Sequence, residues 1–203
     1  DTLYDWNIWR LERTRGQWLN LTLLSFNSDY KNEMYPSVAT NGNVYFHSDL
    51  ESEKKNLDFN TTDIYRSVFN NVDYEGYQKI IPASTVEFPE WDPFISPDED
   101  YLIFTSPRPD GRGGGDMYIC FKQQNGQWAE PKNMGEKINS QGMDYCPSLS
   151  PDGRIFFYSS YQNTLDFSVL PFSYEELTRK LNGPQNGNGD IYFIDSNIIN
   201  SLR

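Results

Sequence analysis

Three carboxylates stand at matched places in the chain: Glu33, Glu90 and Asp144 each precede a proline by three residues. Those prolines, Pro36, Pro93 and Pro147, lie 57 and 54 residues apart. Carboxylates gathered around one opening would hold a cation, an amine or a sugar, and a suitably spaced pair could serve as acid and base on a glycosidic bond. The same groups have a plainer use, accepting backbone N–H bonds that tie neighbouring structural units together. Because the acid recurs in every copy, the plainer use carries more weight; catalytic groups usually break symmetry.

The most distinctive loop is Arg108-Pro109-Asp110-Gly111-Arg112-Gly113-Gly114-Gly115. Its glycines permit positive φ and close backbone approach, and its two arginines can fork onto a carboxylate. It is not a phosphate loop, since no Lys-Ser/Thr follows and a strand comes next. Gly111-x-Gly113-Gly114-x-Asp116 half-resembles a calcium-binding glycine repeat but occurs once. Calcium there stands as an alternative to a partner contact or a plain connecting loop; otherwise no cofactor is expected. His47 is the sole histidine, and with Cys120 and Cys146 it offers no zinc spacing, so no metal is expected. The two cysteines read as buried free thiols. A Ser-His-Asp triad would have to use His47, yet strand alternation turns Ser48 to the other face, and no Gly-x-Ser-x-Gly elbow occurs.

Composition narrows the field. The net charge of −12 argues against nucleic acid and anionic membrane surfaces. No apolar run is long enough for a membrane span. Fourteen Tyr, 13 Phe and 5 Trp suit stacked β-sheets.

The elements that must position the acids are short strands. After each proline comes a polar turn and then an apolar run: Val44-Tyr45-Phe46, Tyr101-Leu102-Ile103-Phe104 and Ile155-Phe156-Phe157-Tyr158. Each forms a hairpin with the strand before it. A third strand opens on an acid or amide, at Asn7-Ile8-Trp9, Asp63-Ile64-Tyr65, Asp116-Met117-Tyr118 and Asp190-Ile191-Tyr192. Asp63, Asp116 and Asp190 there are expected to fix turns by bonding amides just beyond them. A glycine–aromatic turn (Gly16-Gln17-Trp18, Gly76-Tyr77, Gly126-Gln127-Trp128) leads into a fourth strand. Four strands in a unit of just over fifty residues describe one blade of a β-propeller.

The residues Asp92-Pro93-x-x-Ser96-Pro97-Asp98, Thr105-Ser106-x-Arg108-Pro109, Gly113-Gly114-Gly115-Asp116-Met117-Tyr118, Trp128-Ala129-Glu130-Pro131 and Ser150-Pro151-Asp152-Gly153-Arg154 resemble TolB-type, WD40-like bacterial β-propeller repeats. The resemblance runs over nearly the whole chain and is sharpest in residues 90–160. It loosens where Ala39-Thr40-Asn41-Gly42 replaces Ser-Pro-Asp-Gly. It implies an all-β propeller of the bacterial envelope, periplasmic or extracellular, serving as a binding platform with no fixed activity.

The expected architecture is one partial propeller over residues 1–203, of about three to four antiparallel blades. Residues 1–30 form the outer half of a blade, 31–84 and 85–140 two complete blades, and 141–203 a last blade with an insertion at 160–189. In the insertion, Ser173-Tyr174-Glu175-Glu176 reads as a capping box opening a helix over 173–182, which Gly183-Pro184 ends. Leu177, Leu181 and Phe172 are expected to dock that helix on the propeller. Upstream blades, or a second chain, are expected to complete the ring. In such blades the loop before the first strand lies on the channel rim. Glu33, Glu90, Trp91, Asp92, Arg108, Arg112, Asp144 and Tyr145 are therefore expected at the rim. Pro36, Asp63, Pro93, Asp98, Asp116, Trp128, Pro147, Asp152 and Asp190 are expected to be structural. The expected function is non-enzymatic: contact with a protein or glycan partner. The alternative is the propeller portion of an enzyme, either a peptidase gate or a carbohydrate-active site using rim carboxylates.

Overall fold

The computed structural model describes residues 5–52, 59–85, 87–163, 168 and 172–203. Thirteen strands occur among them, in four antiparallel sheets. The first pairs β1 (Trp9–Thr14) with β2 (Gln17–Leu23). The second runs in the order β3 (Glu33–Val38), β4 (Val44–Ser48), β5 (Asp63–Phe69), β6 (Tyr74–Lys79). The third has β7 (Trp91–Ile95), β8 (Tyr101–Ser106), β9 (Asp116–Phe121) and β10 (Lys132–Asn133) in sequence order. The fourth has β11 (Asp144–Leu149), β12 (Ile155–Ser160) and β13 (Asp190–Asp195). Two sheets are thus complete four-stranded blades, one holds two strands and one three, as the repeat predicts.

The described chain packs as two units, residues 1–103 with 120–131, and residues 104–119 with 132–203. In the first unit, Ile8, Leu24, Phe26, Val44, Phe46 and Tyr65 form a buried cluster between the first two sheets. Phe26 stacks on Phe46 at 4.7 Å between centroids, and Phe46 on Tyr65 at 5.9 Å. Large rings suit this seam because the facing β surfaces are flat and each ring buries much apolar area. On its other side the second sheet meets β7. There the Ile95 amide donates to the Ser37 hydroxyl, and the Thr40 amide to the Pro97 carbonyl.

The second unit repeats the aromatic device. Phe104 stacks on Tyr118 at 6.1 Å, and Tyr158 on Tyr192, its register partner, at 5.5 Å. Two short helices belong to this unit, α1 (Tyr174–Leu181) between β12 and β13 and α2 (Asn197–Asn200) after β13. The capping box of α1 forms as the sequence predicts: the Glu176 amide donates to the Ser173 hydroxyl, and Glu176 accepts the Ser173 amide. Its docking does not follow the expectation. No α1 residue is buried, Leu181 is exposed, Leu177 is half-exposed and Phe172 sits under Lys180 at 5.1 Å. The cap and the first-turn acids hold this helix, in place of an apolar seat. Much of the 160–189 insertion before it lies outside the described residues.

Two turns also differ from the sequence reading. Gly76 falls inside β6, and the turn before it is made by Asn70, whose side chain accepts the amides of Val72 and Asp73. Asn closes such a turn on its own backbone and needs no glycine. Trp128 precedes β10 and is joined to Lys122 by an isolated bridge.

Candidate functional site

The recurring acids are held alike. The Ser28 amide donates to Glu33 Oε1 at 3.2 Å, the Thr85 amide to Glu90 Oε2 at 3.3 Å, and the Ser140 amide to Asp144 Oδ2 at 2.6 Å. Each carboxylate thus closes the loop that leads into its own first strand. All three are buried, with 1% of Glu33 and none of Glu90 or Asp144 exposed, rather than standing open at a rim. Register places Glu33 opposite Ser48 and Ser48 opposite Asp63; Asp144, Ser160 and Asp190 form the same row in the fourth sheet. A serine between two acids gives a crowded, desolvated row. Burial raises the pKa of Glu33, Asp63 and Asp144, in Asp63 despite its ion pair with Lys79 at 2.8 Å. These serines were missed in the sequence reading, although Ser48, Ser106 and Ser160 recur at the repeat spacing.

The residue before each proline takes a left-handed backbone: Tyr35 at φ 53°, Asp92 at 50° and Cys146 at 53°. In β3 the pair Tyr35–Pro36 faces the single residue Phe46, and in β11 Cys146–Pro147 faces Tyr158. Each is a β-bulge, a device that re-aims side chains where a strand meets a site.

The first unit breaks the symmetry. Beside Glu33 lies a recess of about 400 Å³, lined by Trp6, Ile8, Trp9, Met34, Tyr35 and Phe59 among others. Trp6, Trp9, Tyr35 and Phe59 are each half exposed or more. Asparagines build its wall. Asn32 accepts the Trp6 amide at 3.1 Å, Asn27 accepts the Ile8 amide at 2.7 Å, and the Glu33 amide donates to the Trp6 carbonyl at 2.7 Å. Asp49 then fixes Asn32 through its amide and its side chain. Trp91 supports the far side, its indole N–H donating to the Phe59 carbonyl at 2.8 Å. Glu33 Oε2 is buried without a hydrogen-bond partner. Burial, with Asp49 and Asp5 nearby, pushes this carboxyl up to about 8, so at neutral pH it is largely protonated.

The other expected rim residues have local employment. Asp92 is buried and its amide donates to His47 Nδ1 at 2.9 Å. The Arg108 guanidinium lies between the Phe104 and Tyr118 rings, 5.2 Å from each centroid. Arg112 is exposed, 3.5 Å from Glu136. Tyr145 is half-buried and stacks on Tyr161 at 5.3 Å.

The glycine loop has a packing reason. A Cβ on Gly113 would fall 1.8 Å from the Gly142 carbonyl oxygen, and the Gly114 amide donates to that oxygen. Asp116 accepts the amides of Arg112 and Gly113, and Asp190 that of Gln185. Both bond the loop before them, not amides beyond, because that loop must be closed before the third strand begins. Asp63 takes Lys79 instead. In both Ser-Pro-Asp turns the serine hydroxyl donates to the acid, Asp98 or Asp152, and accepts the amide that opens the next strand.

His47 is buried, and that desolvation holds it well below the usual imidazole range, near 3, although the Asp92 carboxylate lies 3.9 Å from Nδ1. It accepts the Asp92 amide on Nδ1, which leaves its proton on Nε2, and it stacks on Tyr35. A neutral ring whose basic nitrogen is already occupied cannot serve as a general base. Among the described residues, no group of three or more His, Cys, Asp or Glu is placed to hold a metal ion. No described helix is long and apolar enough to cross a membrane.

No family model matches the chain, and no curated protein does. Among solved structures it resembles TolB from Acinetobacter baumannii, at TM-score 0.51 and 16% identity over 94% of this chain and 35% of that one. It also resembles the tricorn protease, at TM-score 0.37 and 18% identity over 76% of this chain and 13% of that one, a likeness too loose to bear on function. The chain therefore spans about a third of the TolB chain. At such identity the likeness speaks for the fold alone: antiparallel blades of a TolB-type β-propeller.

Proposed function

We propose that this chain is a non-enzymatic binding propeller of the bacterial envelope that grips a protein partner at the Glu33 recess. The observation that carries the reading is the recess itself, where exposed rings surround one buried acid with a spare oxygen. Exposed aromatics rimmed by polar groups are the usual anchors of protein recognition, because they bury large area at low entropic cost. Nothing in that wall pairs a nucleophile with a base; its neighbouring imidazole is neutral and engaged. Trp91 contributes by holding Phe59, and Arg112 and Tyr145 are further contact candidates on their own unit.

The test is capture from envelope extract on immobilised chain, followed by direct affinity measurement with the recovered partner. Trp9→Ala and Tyr35→Ala should each weaken binding at least tenfold, while Ser173→Ala, remote in sequence and solvent-exposed, should leave it unchanged. Equal affinity for all variants would refute the recess as the contact. Binding that survives protease treatment of the extract but is lost on glycan removal would replace the protein partner by a glycan.

A further inference from the structure

The recess that the binding reading relies on has a more specific chemistry. Four rings, those of Trp6, Trp9, Tyr35 and Phe59, line one cavity whose remaining wall is Asn7, Ile8, Glu33, Met34 and Pro36. The cavity's acid, Glu33, keeps Oε2 out of water and without a hydrogen bond. An unpartnered buried carboxyl oxygen is costly; Asp63 and Asp144 also carry one, but of the three only Glu33 lies at the ring-lined recess. Among the described residues, the charges that act on Glu33 are of one sign. Asp5 and Asp49 both act on Glu33, and Asp63 lies one strand further along the same row. Among the described residues, Lys79 is engaged with Asp63 and Glu51, and Lys31 with the Ser52 carbonyl. His47, on the neighbouring strand, is neutral. Glu90 and Asp144 hold the same place in their blades, but neither belongs to this ring-lined wall.

We infer that the recess is a receptor for an alkylammonium group, the head of a lysine-like side chain or of a free amine, caged by the four rings and neutralised by Glu33. Aromatic faces attract organic cations through their quadrupoles, most strongly where water is displaced. A slender alkyl stem matches the apolar floor of Ile8, Met34 and Pro36. The cation brings a counter-charge to Oε2, with an N–H donor as well when it is a primary ammonium, and the carboxyl gives up its proton to solvent as the pair forms. Binding therefore competes with protonation of Glu33.

Butyltrimethylammonium is the decisive probe, since its charge does not titrate; 3,3-dimethylbutanol, whose tert-butyl group has the shape of the trimethylammonium head, is the neutral control. Titration followed by tryptophan fluorescence and calorimetry on the whole chain should show the cation binding at least tenfold more tightly than the alcohol. Its affinity should rise about tenfold per pH unit below 8 and level off above. Glu33→Gln should remove both the preference and the pH dependence, and Trp9→Ala should lower affinity without altering the pH profile. A lysine-bearing peptide that outbinds butylammonium tenfold assigns the group to a protein side chain; equal affinities assign it to a free amine. Equal binding of cation and alcohol, or an unchanged Glu33→Gln, overturns the cation site while leaving the recess as an apolar contact. Absence of binding by either probe overturns the cation site too, and partner capture then judges the broader reading separately.

Discussion

Glu33 is a buried acid whose proton is a measurable part of the fold's stability. Its carboxyl ionises near 8 in the folded chain against an ordinary 4.5. Below pH 4.5 folded and unfolded chains both hold the proton, and the acid has no effect on stability. Between pH 4.5 and 8 the unfolded chain gives the proton up while the folded chain keeps it. Stability must then fall as pH rises, by about 1.36 kcal/mol per unit. Over the interval from 4.5 to about 8 the loss reaches at most about 5 kcal/mol and then levels off. That is comparable to the whole stability of a marginal domain. Glu33→Gln keeps the shape and the acceptor for the Ser28 amide but removes the titration. Urea melts of both proteins at pH 5, 6, 7, 8 and 9 give the comparison. The variant should gain on the parent steadily from pH 5 to 8 and hold a constant lead at pH 9. Butyltrimethylammonium should flatten the parent's slope, because it stabilises the ionised form. Two curves that run parallel across this range would refute the buried-acid argument.

Further expectations concern the scaffold. Glu99 accepts bonds from Asn43, Tyr45 and Lys122, which together outweigh burial and hold its carboxyl below the usual range. Its contribution is present above about pH 4.5 and lost as pH falls through the folded value. Glu99→Gln should therefore cost about 2 kcal/mol at pH 7 and blunt the acid unfolding seen by circular dichroism. Gly113→Ala drives a methyl into the Gly142 carbonyl and should cost more than about 3 kcal/mol in thermal or chemical melts. Ser173→Ala should cost α1 about 1 kcal/mol, visible as faster amide exchange over residues 174–181, with the global melting midpoint unmoved because no residue of that helix is fully buried.

The blade pattern was legible because its strands alternate and its turns carry proline, glycine and aspartate at a fixed spacing. The strand order in each sheet follows those signals, although the Gly76 turn does not, and the Ser173–Glu176 cap was readable from two residues alone. What escaped reading depended on contacts between residues far apart in the chain. Glu33, Glu90 and Asp144 look identical in sequence, yet Glu33 alone sits beside the rings of Trp6, Trp9 and Phe59, a proximity set by Asn27 and Asn32. Those asparagines carry no local signature. Glu99 was equally hidden. It stands where the other copies have Gly42 and Gly153, all three at positive φ, and it bears this backbone while reaching Asn43 and Tyr45 across to the next sheet. The apolar spacing of Leu177 and Leu181 suggested a docked helix, but neither is buried, and Leu181 is exposed.

The bulge before each proline makes the blade a display frame. A phenol, a carboxylate and a thiol occupy the same left-handed position at Tyr35, Asp92 and Cys146, while the strand pairings on either side of the bulge in β3 and β11 are the same. Because the extra residue stands outside the ladder, its side chain is uncoupled from the hydrogen bonds that hold the sheet. Such a position can change chemistry without changing register. A propeller built this way can acquire a new specificity one blade at a time, with the hydrogen-bonded framework left intact.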